Sequence, residues 1–162
     1  MGAEIERKYL VKNTLWKPKV ETSIPITQGY ITRRGNASVR VRLTDKNAFV
    51  TLKGARNGIQ RAEYEYPIPR EDAEEMLATL AHQPLVEKTR HLIPNGNHVW
   101  ELDVFDGANK GLVTAEIELA STDEAFEIPE WVGDDVSDDP RYANANLVKN
   151  PFTTWDGVAP QK

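Results

Sequence analysis

The chain has no cysteine, which excludes disulfides and thiolate metal sites but leaves the compartment open. No apolar run is long enough to span a bilayer and no secretory signal opens the sequence, so a soluble, cytoplasmic protein without a membrane partner is expected. Histidine is scarce. His82, His91 and His98 show no ligand spacing and lie near expected element ends, so they read as surface or structural residues. Neither a Gly-rich phosphate loop nor a Ser/His/Asp grouping is present, so no competing active site of either kind is offered. Positive charge is also short. A net charge of −5 argues against a nucleic-acid partner, because phosphate-backbone binding needs an extended basic face. The basic residues are better read as a local anion site. Asn36-Ala37-Ser38 fits a glycosylation acceptor, but without secretion it reads as a turn.

What the chain does have is charge sorted along alternating segments. If Glu4-Ile5-Glu6-Arg7-Lys8 is extended, Glu4, Glu6 and Lys8 point to one face. Two adjacent carboxylates repel, and a divalent cation held by hard oxygen ligands would relieve that repulsion. The arrangement recurs: Arg40 and Arg42 lie opposite Val39, Val41 and Leu43, and Lys53 shares a face with Phe49 and Thr51. Further on, Arg61, Glu63 and Glu65 alternate with Ala62, Tyr64 and Tyr66. Lys88 and Arg90, Glu101 and Asp103, and Glu116 and Glu118 follow at the same spacing. Two geometries accommodate this: an open antiparallel sheet with a wetted charged face, or a closed barrel with the charged faces turned inward. Acids pair with acids and bases with bases, which favours a lumen with separate metal and anion walls.

These residues resemble the CYTH superfamily of triphosphate tunnel metalloenzymes, which includes inorganic triphosphatases, thiamine triphosphatases and class IV adenylate cyclases. The resemblance is carried by Glu4-Ile5-Glu6-Arg7-Lys8-Tyr9-Leu10-Val11, Gln28-Gly29-Tyr30, Val39-Arg40-Val41-Arg42 and Thr51-Leu52-Lys53-Gly54. It continues through Arg61-Ala62-Glu63-Tyr64-Glu65, Glu87-Lys88-Thr89-Arg90, Trp100-Glu101-Leu102-Asp103-Val104-Phe105 and Ala115-Glu116-Ile117-Glu118-Leu119. It implies an α+β, mainly β fold: an eight-stranded antiparallel barrel forming a tunnel, with charged side chains inside.

On that resemblance, Arg40, Arg42, Lys53, Lys88 and Arg90 are expected to hold phosphate oxygens, and Arg61 either joins them or faces outward salt-bridge partners. Lys8 would stabilise the phosphoryl group under attack or orient the water. Glu4, Glu6, Glu116 and Glu118 are expected to form the principal metal site, with Asp103, Glu63 and Glu65 contributing to it or to a second. For Glu63 and Glu101 an internal salt bridge is an equal expectation. Oxygen-only ligands indicate Mg²⁺ or Mn²⁺. The resemblance also implies a proton-acceptor role for Tyr30, which would share a face with Gln28 and Thr32. A phenol, with an ordinary pKa of about 10, does this near neutrality only if adjacent cations lower it.

The length fits one domain over 1–162. Arg70 to His82 reads as the best helix, with Pro69 before it, acids in its first turn, and Ala73, Met76, Leu77 and Leu80 at helical spacing. Pro140 to Val148 is a second helix candidate, Asp134 to Asp139 an acidic loop, and Asp156 to Lys162 a frayed end. Phe152 and Trp155 are expected to cover the barrel's outer surface. The leading function is metal-dependent hydrolysis of inorganic triphosphate, with longer polyphosphate or nucleoside triphosphates as candidate extensions. The alternatives are thiamine triphosphatase, through stacking on Trp16, Trp100, Trp131 or Trp155, a class IV-type adenylate cyclase, and a non-catalytic polyphosphate-binding module. An exposed apolar barrel face would make a homodimer.

Overall fold

The alternating segments are strands, and they close on one another. The computed structural model describes residues 2–34 and 37–157; Asn36 of the glycosylation triplet and residues 158–162 of the expected frayed end lie outside them. The strands are β1 (Ala3–Val11), β2 (Thr22–Arg34), β3 (Ala37–Thr44), β4 (Ala48–Gly54), β5 (Gln60–Pro67), β6 (Val86–Asn95), β7 (His98–Phe105), β8 (Val113–Glu118) and β9 (Val132–Asp135). Their order is β5-β4-β3-β2-β6-β7-β8-β1-β9, and β1 also pairs with β5. An antiparallel barrel of eight strands results, with β9 added outside the ring.

β1 makes the closure. One of its edges pairs Glu6–Leu10 with β8, and the other pairs Ala3–Ile5 with β5 and then passes to β9 through Tyr9↔Asp135 and Val11↔Val132. Because side chains alternate, this places Glu4, Glu6 and Lys8 on the lumen side and sends Tyr9 and Val11 into the outer core. The β6–β7 hairpin turns through Gly96 and Asn97, with Gly96 at φ 62°. A two-residue hairpin with positive φ at its first central position favours glycine there.

Three apolar clusters pack on the barrel, two of them on its outside. The largest joins Tyr9, Trp16, Trp100, Leu102, Ile117 and Trp131. A second packs Tyr142, Leu147, Val148 and Phe152, with Trp155 alongside, against Leu10, Tyr30, Val86 and Phe105. Val86 lies opposite Gln28 and Phe105 opposite Lys88, so these are lumen-side positions, and Phe152 and Trp155 sit over the inner face of the barrel rather than on its outer surface as expected. In the third, α1 (Arg70–Thr79) lays Ala73 and Leu77 on Val41 and Ala48. Gly29 permits that approach: a Cβ there would stand 2.8 Å from both Ala81 and Leu85 side-chain atoms. Leu52, Tyr64 and Tyr66, neighbours on β4 and β5, remain exposed. No helix among the described residues is long and apolar enough to cross a membrane.

Three local expectations are corrected. α1 ends at Thr79 rather than His82, because the His82 N–H donates to the Tyr30 carbonyl at 3.0 Å and draws the chain onto β2. The expected helix over Pro140 to Val148 is broken at Ala143, whose ψ of 131° is extended, into a 3₁₀ turn (Pro140–Tyr142) and α2 (Asn144–Lys149). At that break Lys8 Nζ donates to the Tyr142 carbonyl. The acidic loop begins as a strand, β9, where Arg7 meets Asp135 at 3.1 Å and supplies the missing countercharge.

Candidate active site

The barrel encloses a cavity of ≈ 220 Å³ whose wall is almost wholly charged or polar. Register explains its sorting. Glu6 lies directly opposite Glu118 and Lys8 opposite Glu116, while Glu4 lies opposite Arg61, so one sector collects carboxylates from β1, β5 and β8. Oxygen atoms of Glu4, Glu63 and Glu118 all lie within 4.8 Å of one another. Lys53 Nζ bridges two of them, 2.9 Å from Glu4 and 3.3 Å from Glu63, and Arg61 Nε stands 3.6 Å from Glu4. Arg61 therefore faces the lumen.

The acids are held in unlike protonation states. Burial favours the neutral form of Glu4, but the hydrogen bond from Glu63 and the charge of Lys53 outweigh it and hold Glu4 below the usual carboxylate range. Glu63 takes the proton, pushed up to about 7 by burial, by its hydrogen bond to Glu4 and by Glu4's charge. Glu6 and Glu116 form a second such pair. Burial and the charges of Glu116 and Glu4 drive Glu6 well up, whereas Lys8 and Arg90 overcome burial to keep Glu116 ionised. Glu118 is raised by burial and by Glu101 and Glu4. Such crowding of carboxylates suits an added cation.

Cations line the facing sector. Arg90 is clamped, with Nε on Asp103 Oδ1 at 2.8 Å, Nη2 on Oδ2 at 3.0 Å and Nη1 on Glu101 at 3.1 Å. Lys88 Nζ lies 2.8 Å from Asp103 and 3.0 Å from Asn144 Oδ1, and burial brings its pKa down to about 7 against the pull of Asp103. Arg40 reaches Thr51 and Glu65 through Nη2, and its buried Nε has no partner among the described residues. Arg42 makes no ion pair among the described residues; its Nε donates to Gln28 Oε1 at 2.9 Å. Burial and the neighbouring Arg40 and Arg90 lower Arg42 to about 10.

Two expected metal ligands stand elsewhere. Asp103, with its pKa brought down to about 2 by Arg90 and Lys88 despite burial, spends both oxygens on those cations. Glu65 accepts from Thr51 at 2.8 Å and from Arg40 at 3.3 Å, outside the acidic trio. Both are ion-paired with the cations of the facing sector. Glu101 also takes the salt-bridge role. Tyr30 does line the cavity, but a register shift between Tyr30 and Thr32 removes Thr32 from that face. None of the histidines or tryptophans lines the cavity; His91 instead bonds Ser23 and stacks on Trp16.

The segment from Val136 to Ala145 supplies further wall residues that no charge pattern announced, Ser137 and Asn144 among them. Asn144 arrives from a stretch without alternation and is recognisable only once the chain has folded. Arg56, in the turn after β4, also reaches the wall and was likewise outside any strand pattern.

Comparison with known proteins agrees with this geometry. The family model described as the CYTH domain matches residues 2–148. The inorganic triphosphatase of Acetivibrio thermocellus is 44% identical over 155 residues, covering 96% of this chain and 99% of that protein. The inorganic triphosphatase of Nitrosomonas europaea is 39% identical over 151 residues, covering 90% and 96%. The crystal structure of the inorganic triphosphatase NE1496 superposes with a TM-score of 0.64 at 37% identity, covering 90% of this chain and 97% of that one.

Proposed function

This chain belongs to the CYTH domain family, and from that premise we propose that its cavity binds inorganic triphosphate and splits it to pyrophosphate and phosphate with a divalent cation. The observation that carries the reading is the contrast between the two walls: a cluster of carboxylates short of positive charge faces Arg42, a guanidinium short of negative charge. A metal–triphosphate pair supplies both deficits. The whole chain is read as one such domain.

The acidic wall fits a hard cation, since its donors are all carboxylate oxygens. Glu4, Glu63 and Glu118 would hold it, with Glu6 and Glu116 beside them. Bound Mg²⁺ or Mn²⁺ supplies charge neutralisation at phosphate oxygens and polarisation of water. The protein's own residues do the positioning. Arg42 and Arg40 line the cavity, where their guanidinium groups would meet phosphate oxygens, and Arg90 and Lys88, fixed by Asp103, keep that wall positive. Lys53 and Arg61 stand over the acids, where the end of the anion would meet them. Lys8 lies opposite Glu116 and beside the carboxylates, placed to stabilise the phosphoryl group under attack, and Tyr30 is the one aromatic on the wall. Phosphoryl transfer needs such charge placement and alignment more than covalent chemistry.

The cavity offers no stacking surface for thiamine or adenine beyond Tyr30, and its ≈ 220 Å³ is below the roughly 300–1,000 Å³ usual for organic ligands. Phosphate release from tripolyphosphate, ATP, thiamine triphosphate and pyrophosphate, each with Mg²⁺, Mn²⁺ or EDTA, tests the reading. Metal-dependent turnover of tripolyphosphate above the others, abolished in Glu4→Gln, is expected. Binding without turnover would leave only the non-catalytic module, and cyclic AMP from ATP would transfer the chain to the cyclases.

A further inference from the structure

Gln28 is completely buried among charged side chains, and both ends of its amide are committed. Its Oε1 accepts from Arg42 Nε at 2.9 Å. Its Nε2 donates to Asn144 Oδ1 at 3.2 Å and to Tyr30 Oη at 3.3 Å. The orientation of the amide is set by chemistry, because a guanidinium only donates and must therefore meet the oxygen. That leaves the NH₂ end for Tyr30. A phenol oxygen that accepts from an amide has its own proton directed elsewhere, and Tyr30 lies on the cavity wall. On the other side, holding Arg42 by Nε leaves its two Nη groups as the fork that a phosphate would meet.

We infer that Gln28 is a positioning residue for the proposed triphosphatase, aiming the Arg42 fork and the Tyr30 hydroxyl at the substrate through a single buried amide. Asn144 completes the arrangement from the far end of the chain. Its Oδ1 accepts from both Gln28 and Lys88, so the Val136–Ala145 wall is tied to the anion wall at the point where the amide is fixed. In this arrangement Tyr30 offers the substrate a proton rather than accepting one, which replaces the proton-acceptor role expected from the resemblance. The inference rests on the triphosphatase reading for its substrate.

The test is a pair of double-mutant cycles built on Gln28→Met, which keeps the volume and removes all three hydrogen bonds of the amide, with tripolyphosphate and Mg²⁺. Alone, Gln28→Met should lower kcat by about tenfold or more and raise KM several-fold. In a Tyr30→Phe background the kcat effect should largely vanish, and in an Arg42→Met background the KM effect should vanish, since residues acting through one another are non-additive. A merely structural glutamine would give equal losses in every background, and that result, or unchanged kinetics in Gln28→Met, overturns the inference. Should Gln28→Met not fold, Asn144→Ala removes the acceptor that holds the same NH₂ group, and its kcat loss must shrink in Tyr30→Phe; an undiminished loss counts against the proposal. If wild-type protein releases no phosphate, the functional reading fails separately. Calorimetric binding of tripolyphosphate then still reads the Arg42 arm, as weaker binding in Gln28→Met but not in Gln28→Met on Arg42→Met.

Discussion

Arg42 and Lys53 carry the same charge in the same cavity, but their surroundings assign them opposite effects on stability. Lys53 Nζ lies between Glu4 and Glu63, so Lys53→Met would leave the nearly buried Glu4 with only the longer contact to Arg61, at a cost of up to about 3–5 kcal/mol. Arg42 has no acid partner among the described residues and is pressed by Arg40 and Arg90. Arg42→Met should therefore leave the ligand-free protein as stable or more so, while binding of tripolyphosphate weakens by roughly 10–100-fold. Melting curves and calorimetry on the two variants check this, and a destabilised Arg42→Met would show that the cation is compensated after all. Sequence spacing placed both residues in the lumen. It could not distinguish them, because which acid faces which cation depends on strand register and barrel closure.

Protonation supplies the second prediction at this scale. Glu63 rises from 4.5 to about 7 in the folded chain, so between those values the folded state holds a proton that the unfolded state has released. Its stabilising contribution is complete below the unfolded value and is lost as pH rises through the folded one. Glu63→Gln stays neutral throughout. In metal-free buffer the melting temperature of Glu63→Gln relative to wild type should therefore climb as pH goes from 4.5 to about 7. In wild type the stabilisation by Mg²⁺ should grow over the same interval, because metal binding must displace that proton. A difference that stays flat across the interval would place the proton elsewhere.

At the level of elements, alternation made the strands legible because a barrel wall is apolar on one side and charged on the other, so each strand carries its own period of two. Helix ends and β9 were harder to read. His82 leaves the helix for the Tyr30 carbonyl, Ala143 breaks a helix whose neighbouring carbonyl is used by Lys8, and Asp135 enters a strand because Arg7 waits across the sheet. Each outcome is decided by a partner distant in sequence. The same distinction between wall and cover predicts how α1 behaves. Leu77 is buried against the outer face of β3 and β4, away from the cavity wall, so Leu77→Ala should cost about 2–5 kcal/mol. That is a fall of roughly 5–15 °C in melting temperature for a chain of this size. Turnover at 25 °C should stay within about twofold; a large loss of kcat without unfolding would show that α1 shapes the lumen.

For the whole molecule, closure of the barrel through β1 gathers groups from seven other strands around a space too small for their charges to be solvated freely, which each unpaired ion pays for in stability. The chain answers with two local solutions. On one wall Asp103, Glu101 and Glu65 neutralise Arg90, Lys88 and Arg40; on the other, protons retained on Glu63 and Glu6 reduce the repulsion. What remains is one excess of each sign on facing walls, and a cation and a polyanion entering together cancel both. Mg²⁺ and tripolyphosphate should for that reason stabilise the fold cooperatively. At about 100-fold excess over its dissociation constant a ligand contributes about 2.7 kcal/mol, or roughly 5–10 °C here. With a non-hydrolysing variant such as Lys8→Met, the shift from both together should exceed the sum of the shifts from each alone, and Glu4→Gln should reduce the combined shift to that sum. Strict additivity in the unaltered acidic wall would mean that the two ligands do not meet inside the barrel.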